Sequence, residues 1–493
     1  MGNRTMLAIA VCAVTALAGG TAVAVPGGVQ KGAAGGKAVL SVREDFNGDG
    51  YQDIVVAAPG ATVAGHAWAG YVAVAYGSAK GPGTARTTVI DQNTPGVPGV
   101  AGDAHSFGFR MAARDLDHDG LTDLALYTNE SVPETNDFGS VIVLWGRTGG
   151  ISGKGAVRLP APARSEVGNN LTAGDFNGDG RVDLMLAHGG EFDQRSILYG
   201  PFDRKGVPAR EQRLTMFSSD NFMSTTAVGD FNGDGIDDLC TTYVYEEHAE
   251  GAQVRLGTRE GLSTVSTPLP GASALAVGDF DRDGKDDLAT RPVPGGSLED
   301  LATDPGAVRI YYGSASGPST TRTGTLTQNT AGVPGVSEKG DQFGARLGAG
   351  DVNGDGYADL AVGVPYEAIG TTKAAGSVVL LKGGRGGLSG SGAQVVHQDT
   401  AGVPGVVETG DHFGGSVQLL DLDRDGRADL LAGAPGEDLG KVPDGGAVWY
   451  LRGTASGLTT KRAFAVNPVD LGAPVRKALF GLNLSDDNGP GIG

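Results

Sequence analysis

Cysteine is almost missing from this chain. There are two in 493 residues, and Cys12 falls inside an N-terminal leader. Val11 before it gives no lipidation context. Cys240 is then the only mature cysteine, so an intrachain disulfide is excluded. Following Leu239, it reads as a small buried residue and not as a reactive thiol. Histidine is also scarce, at seven, and none stands in a triad or zinc pattern; neither Gly-x-Ser-x-Gly nor His-Glu-x-x-His occurs. Positive charge is short as well. Lys and Arg number 38 against 57 Asp and Glu, a net charge of -19. Nucleic acid is therefore not an expected partner. No run beyond the leader is long and apolar enough to span a membrane, and the tail after Asp487 carries no wall-sorting signal.

The leader is the one targeting feature. Arg4 is followed by an apolar stretch from Leu7 to Ala18, and Ala22-Val23-Ala24 fits a small-residue cleavage site. Residues 1–24 are expected to be a signal peptide cleaved near Ala24, residues 25–37 a flexible linker, and residues 38–493 the folded domain of a secreted, extracellular protein. Such a domain without disulfides needs other staples.

Glycine, by contrast, is abundant at 85 residues, with no collagen-like period. It serves a repeat. The nonapeptide D-x-[ND]-x-D-G-x-x-D starts at Asp45, Asp115, Asp175, Asp230, Asp279, Asp351 and Asp421. Each copy leads into an apolar run such as Ile54-Val55-Val56-Ala57-Ala58. Each is followed later by a β-type run ending in glycine, with a second glycine four residues on, as at Gly77 and Gly81 or Gly453 and Gly457; the third copy stretches this from Gly200 to Gly206. Before most loops stands another candidate strand, seen at Phe107-Gly108, Phe343-Gly344 and Phe413-Gly414. Helical periodicity of useful length is absent. Each unit reads as four antiparallel strands, and seven such units make an all-β, seven-bladed β-propeller. Separate mini-domains are disfavoured because one blade cannot bury its own faces. Phe480-Gly481-Leu482-Asn483-Leu484 resembles an eighth inner strand, which either closes the ring or caps it.

The loop spacing defines a metal chemistry. Oxygen side chains at positions 1, 3, 5 and 9 of a tight turn converge on one point, glycine at position 6 permits the bend, and the freely varying position 7 offers its backbone carbonyl. All-oxygen, partly anionic coordination suits Ca²⁺. The expected ligand sets are Asp45, Asn47, Asp49, Tyr51 and Asp53; Asp115, Asp117, Asp119, Leu121 and Asp123; Asp175, Asn177, Asp179, Arg181 and Asp183; Asp230, Asn232, Asp234, Ile236 and Asp238; Asp279, Asp281, Asp283, Lys285 and Asp287; Asp351, Asn353, Asp355, Tyr357 and Asp359; and Asp421, Asp423, Asp425, Arg427 and Asp429. An EF-hand is excluded, since its Glu at position 12 is replaced by residues such as Val56 and Leu126. Up to seven Ca²⁺, one per blade, would bring the formal charge from -19 to about -5, and would act as folding ligands.

These residues resemble the FG-GAP repeats of the integrin α-subunit propeller and its secreted bacterial relatives. Phe343-Gly344 and Gly433-Ala434-Pro435 match the two halves of the name, and Asp351 to Gly356 matches the metal loop. The likeness covers roughly Ala38 to Leu484. It is strongest in units 1, 6 and 7, while units 3 and 4 keep mainly the loop. The resemblance implies a seven-bladed propeller with calcium on the loops after the innermost strands. The chain shows no inserted adhesion domain and no partner subunit.

In a four-stranded antiparallel blade the Asp loops and the Gly turns share one face. The long, variable connections lie on the other, where binding residues are expected. His66 and Trp68 in unit 1, and Tyr245, Glu246, Glu247 and His248 in unit 4, are the candidates. A phrase found three times, Gln92 to Val100, Gln328 to Val336 and Gln398 to Val406, reads as a structural turn. The favoured function is a monomeric extracellular binding or adhesion module for protein or glycan. The alternatives are a calcium-dependent polysaccharide lyase or hydrolase, with acid–base pairs assembled across blades, and a purely structural surface protein.

Overall fold

The computed structural model describes residues 44–83, 86–132, 137–160, 167–188, 194–215 and 222–485. The expected signal peptide, the linker and the first residues of the domain lie outside them. Seven antiparallel sheets follow one another along the chain, six of them four-stranded meanders in simple sequence order. Among the described residues only two short 3₁₀ turns, Pro294–Gly296 and Glu299–Thr303, accompany the strands. The fold is a seven-bladed β-propeller of four-stranded antiparallel blades, not a solenoid or a string of separate units.

Blade 6 shows the pattern. Its strands are Arg346–Gly350, Asp359–Val364, Ser377–Lys382 and Ser389–Val396. The second strand is buried at every position. Each blade is covered on both faces by its neighbours, so its middle strands read as continuous apolar runs instead of alternating ones. The inner strand Arg346–Gly350 lies beside those of blades 5 and 7, Ala272–Gly278 and Ser416–Leu420. Together the inner strands surround a cavity of about 200 Å³, lined in part by Thr172, Thr225, Leu275, Leu347 and Gln418.

The apolar core is divided among the seams. One cluster joins Val55 and Ala57 of blade 1 to Met111 and Leu124 of blade 2; another joins Val378 and Leu380 of blade 6 to Phe413 and Trp449 of blade 7. Each of the seven clusters lies between consecutive blades. Position 2 of every Asp loop feeds one of them: Phe46, Leu116, Phe176, Phe231, Phe280, Val352 and Leu422 are all at most 1% exposed. Cys240 is fully buried in the seam between blades 4 and 5, and burial pushes its thiol up to about 12.

Among the described residues blade 1 has three strands, Ile54–Ala58, Tyr71–Ala75 and Thr87–Ile90. Its inner position is filled from the far end of the chain. Leu484 bridges Val56 antiparallel, Ala57 N donates to Asn483 O at 3.0 Å, and Gly481 N donates to Ala57 O at 3.1 Å. Phe480 meanwhile docks on blade 7, its N–H reaching Gly445 O, as Phe413 N reaches Ala375 O one blade earlier. The glycines beneath these phenylalanines are obligatory. Gly376 and Gly446 have φ of 85° and 75°, and a Cβ on either would lie 2.3 Å from the phenylalanine carbonyl oxygen. Phe480 to Leu484 therefore closes the ring.

Candidate metal centres and the opposite face

In blades 2 to 7 the Asp loop connects the first strand to the second, and in blade 1 it leads into Ile54–Ala58; in all seven its carboxylates are held by backbone N–H groups. In blade 6, Asp351 Oδ1 accepts from Gly354 N at 2.7 Å and its Oδ2 from Gly356 N at 2.7 Å. Asn353 Oδ1 accepts from Asp355 N at 2.8 Å, and Asp355 Oδ1 from Tyr357 N at 3.0 Å. The bond from position 6 to Oδ2 of position 1 recurs in all seven loops. Position 7 donates its N–H to position 5 throughout, from Tyr51, Leu121, Arg181, Ile236, Lys285, Tyr357 and Arg427. Positions 1, 3 and 5 are thus turned toward one another before any ion arrives.

Position 9 has a second duty that spacing alone does not show. Asp53, Asp123, Asp183, Asp238, Asp287, Asp359 and Asp429 are fully buried. In each, Oδ2 accepts the N–H of position 2, and Oδ1 accepts the N–H of the glycine ending the third strand, for example Phe46 and Gly77 or Val352 and Gly383. This places the Gly turn beside the Asp loop on one face. Burial, opposed by those N–H bonds, pushes Asp123, Asp183 and Asp238 up to about 8, Asp53, Asp287 and Asp429 up to about 7, and Asp359 up to about 6. A nearby cation would work in the opposite sense.

The loops fall into two electrostatic types. Where position 3 is Asp, an arginine pairs with positions 3 and 5. Arg204 bonds Asp117 and lies 2.6 Å from Asp119 Oδ2; Arg322 bonds Asp281 and lies 3.7 Å from Asp283; Arg452 bonds Asp423 and lies 2.9 Å from Asp425. The three come from different places: the turn of the next blade, the residue before an outer strand, and a third strand. In each of these three loops the guanidinium offsets the carboxylate that replaces Asn at position 3, and Arg181, Lys285 and Arg427 at position 7 also pair with position 5 of their own loops.

The donor set fits a hard divalent cation. Carboxylate oxygens of Asp115, Asp117 and Asp123 lie within 4.8 Å of one another, as do those of Asp279, Asp281 and Asp287 and of Asp421, Asp423 and Asp425. Asp423 gives Oδ2 to Arg452 while its Oδ1 is buried without any hydrogen-bond partner. Neighbouring loops also bond to one another. Position 8 donates to the position 1 carbonyl of the preceding loop at Thr122 and Asp45, Asp237 and Asp175, Asp286 and Asp230, Ala358 and Asp279, and Ala428 and Asp351.

The ligand candidates on the other face do not converge. His66 and Trp68 sit on the connection between Ile54–Ala58 and Tyr71–Ala75 in blade 1, where His66 lies 3.5 Å from Asp103 and Trp68 is 46% exposed. Tyr245, Glu246 and His248 form the tip of a hairpin three blades away, with Tyr245 paired to His248; His248 bridges Ser297 of blade 5, and Glu247 O accepts from Leu298 N. The thrice-repeated phrase is structural at its glutamine, which is buried in each copy. Two features escaped the reading of spacing: the apolar residue at position 2, which was legible in all seven copies, and the arginine partners, which were not.

A repeat propeller with an acidic loop at one end of every blade is the class that fold and loops define. The FG-GAP repeat model matches residues 38–74, 343–381 and 413–451, and an FG-GAP-like repeat matches 115–186. Integrin alpha-3 of Cricetulus griseus is 36% identical over 85 residues, 17% of this chain and 7% of that protein. Integrin alpha-E of Mus musculus is 36% identical over 115 residues, 22% and 9% of the two chains. The phosphatidylinositol-glycan-specific phospholipase D of Mus musculus is 32% identical over 146 residues, 29% and 17%. The chain thus spans less than a fifth of each of these relatives. It carries FG-GAP repeats and is similar to the integrin-α-like β-propellers over those stretches. Among solved structures, a mutant of AofleA from Arthrobotrys oligospora aligns with a TM-score of 0.38 at 8% identity, over 73% of this chain and 88% of that one. A Bacillus licheniformis rhamnogalacturonan lyase aligns at 0.28 and 12%, over 63% and 65%. Both likenesses are too remote to bear on this chain's chemistry. No helix among the described residues is long and apolar enough to cross a membrane.

Proposed function

We propose that this protein is a secreted, calcium-stapled propeller that binds an extracellular protein or glycan on the face away from its Asp loops. The observation that carries the metal is the convergence of carboxylate oxygens to within 4.8 Å of one another in three of the loops. Ca²⁺ would be held by positions 1, 3, 5 and 9 of each loop, with the position 7 carbonyl. In this reading residues 1–24 are removed on export, 25–37 form a linker, and the propeller begins at Ala38. The ion neutralises mutually repelling carboxylates and fixes each Asp loop to the strand that follows it. What this leaves for recognition is a rigid ring with long connections such as Pro59 to Ala69 displayed on one face.

The deciding experiment is a panel of polysaccharides and matrix proteins incubated with the full chain in Ca²⁺ and scored for both retention and cleavage. Retention without product, weakened by Trp68→Ala or Tyr245→Ala, is the expected result. Product formation would make the polysaccharide-degrading alternative correct, and silence across the panel would overturn the binding role.

A further inference from the structure

The repeated phrase places one buried glutamine at each of three seams. Gln92, Gln328 and Gln398 are 2%, 3% and 2% exposed. Each donates Nε2 to a glutamate of the following blade: Gln92 to Glu130 at 3.0 Å, Gln328 to Glu367 at 2.7 Å, and Gln398 to Glu437 at 2.6 Å.

The first seam is complete within the protein. Gln92 Oε1 meets His105 Nδ1 at 2.8 Å, and Glu130 is paired with Arg158 at 2.7 Å and accepts Ser140 Oγ at 2.6 Å. At the other two seams the counterparts of His105 are Asp341 and Asp411. Both are buried, at 3% and 1% exposure, and accept the N–H of Glu338 and Glu408 on Oδ2. Gln328 Oε1 and Gln398 Oε1 are left buried without a partner. The charges acting most strongly on Glu437 are Asp411, Glu408 and Asp438, and on Glu367 Asp341 and Glu338, all negative. Burial pushes both glutamates up to about 7.

A histidine and an arginine complete the first seam; at the other two the glutamine Nε2 donates to the glutamate, and at Gln398 to Asp411 as well, while the glutamine Oε1 meets no donor. Buried acceptors without a donor are costly, and carboxylate with amide oxygens make a hard-cation donor set. We propose that the seams between blades 5 and 6 and between blades 6 and 7 each hold a divalent cation, calcium by their chemistry, at Gln328, Asp341 and Glu367 and at Gln398, Asp411 and Glu437. These sites lie opposite the Asp loops, tie one blade to the next, and do not depend on the loop sites.

The test strips full-length protein of metal, dialyses it to equilibrium against Ca²⁺, and counts bound ions by elemental analysis. The near-isosteric pair Glu367→Gln and Glu437→Gln is expected to bind two ions fewer than the parent. An unchanged count would overturn the proposal and would mean that the acids hold a proton instead. A loop variant, Asp351→Asn with Asp355→Asn, loses its own ion separately; should it lose none while the seam pair still loses two, the loop reading fails and the seam reading stands. Tb³⁺ supplies a readout independent of the count. Trp449 donates to Pro404 O at 2.8 Å, and a side chain at Gly405 would touch both Trp449 and Gln398. The part of the Tb³⁺ emission that Trp449→Phe removes is expected to be lost equally in Glu437→Gln and to persist in the loop variant. Emission unaffected by Glu437→Gln would overturn the site.

Discussion

Asp359 and Asp355 stand four residues apart in one loop, yet they answer to different forces. Asp359 is fully buried and accepts the N–H groups of Val352 and Gly383. Asp359→Ala removes both acceptors, and leaving buried donors unpaired costs about 1–3 kcal/mol. That loss should appear in melting curves with chelator present as well as with Ca²⁺. Asp355 is exposed and accepts only the N–H of Tyr357 among the bonds seen here. Asp355→Ala should lower the melting temperature chiefly when Ca²⁺ is present. Equal losses for the two variants in chelator would show that position 9 has no clamp role. Gly376 offers a second single-residue test. Its φ of 85° and the carbonyl of Phe413 leave no room for a methyl group. Gly376→Ala should destabilise blades 6 and 7 in any buffer, as measured by hydrogen exchange in Ser377–Lys382.

At the scale of the loop the unit is charge. Three loops have an extra aspartate at position 3, and in each an arginine from elsewhere meets it. Arg452 is held by Asp423 and Asp425. Arg452→Ala should destabilise the calcium-free protein and tighten one Ca²⁺ site by about fivefold, on the ~1 kcal/mol scale of a partly exposed ion pair. Titration calorimetry of the variant against the parent checks this; a weakened site would mean that Arg452 positions its aspartates for the ion. The nonapeptide was legible because all its atoms come from nine consecutive residues. The arginines were not. Arg204 lies 85 residues from Asp119, and Arg452 lies 27 from Asp425. No spacing rule links them, because the contact is made through space by three different elements.

For the whole molecule the decisive features are the belt of loop-to-loop bonds and the closing strand. Each loop bonds its neighbour across five of the seams, so an ion in one blade stiffens the next. Chelation should lower the melting temperature by many degrees in a single cooperative step. Blades melting one by one would show that the belt does not couple them, and an unmoved curve would remove calcium from the fold. Truncation before Phe480 should open the ring. It exposes the seam where Ile54, Val56 and Tyr71 pack on Leu431 and Tyr450, and size-exclusion chromatography should show expanded or aggregated protein. A monodisperse, cooperatively melting product would mean that the last strand is only a cap.

The amino-acid order by itself determined the number of blades, the strand-loop-strand rhythm and the position of every acidic loop. Each of these is local: carboxylates two residues apart, a glycine where the chain must bend, and apolar runs doubly buried. Only the tertiary structure decided that Phe480 to Leu484 completes blade 1, that arginines from elsewhere meet the extra aspartates, and that glutamines face glutamates across the seams. Those contacts join residues from distant parts of the chain. Their partners are chosen by how the blades stack, which depends on the packed ring and not on any one repeat.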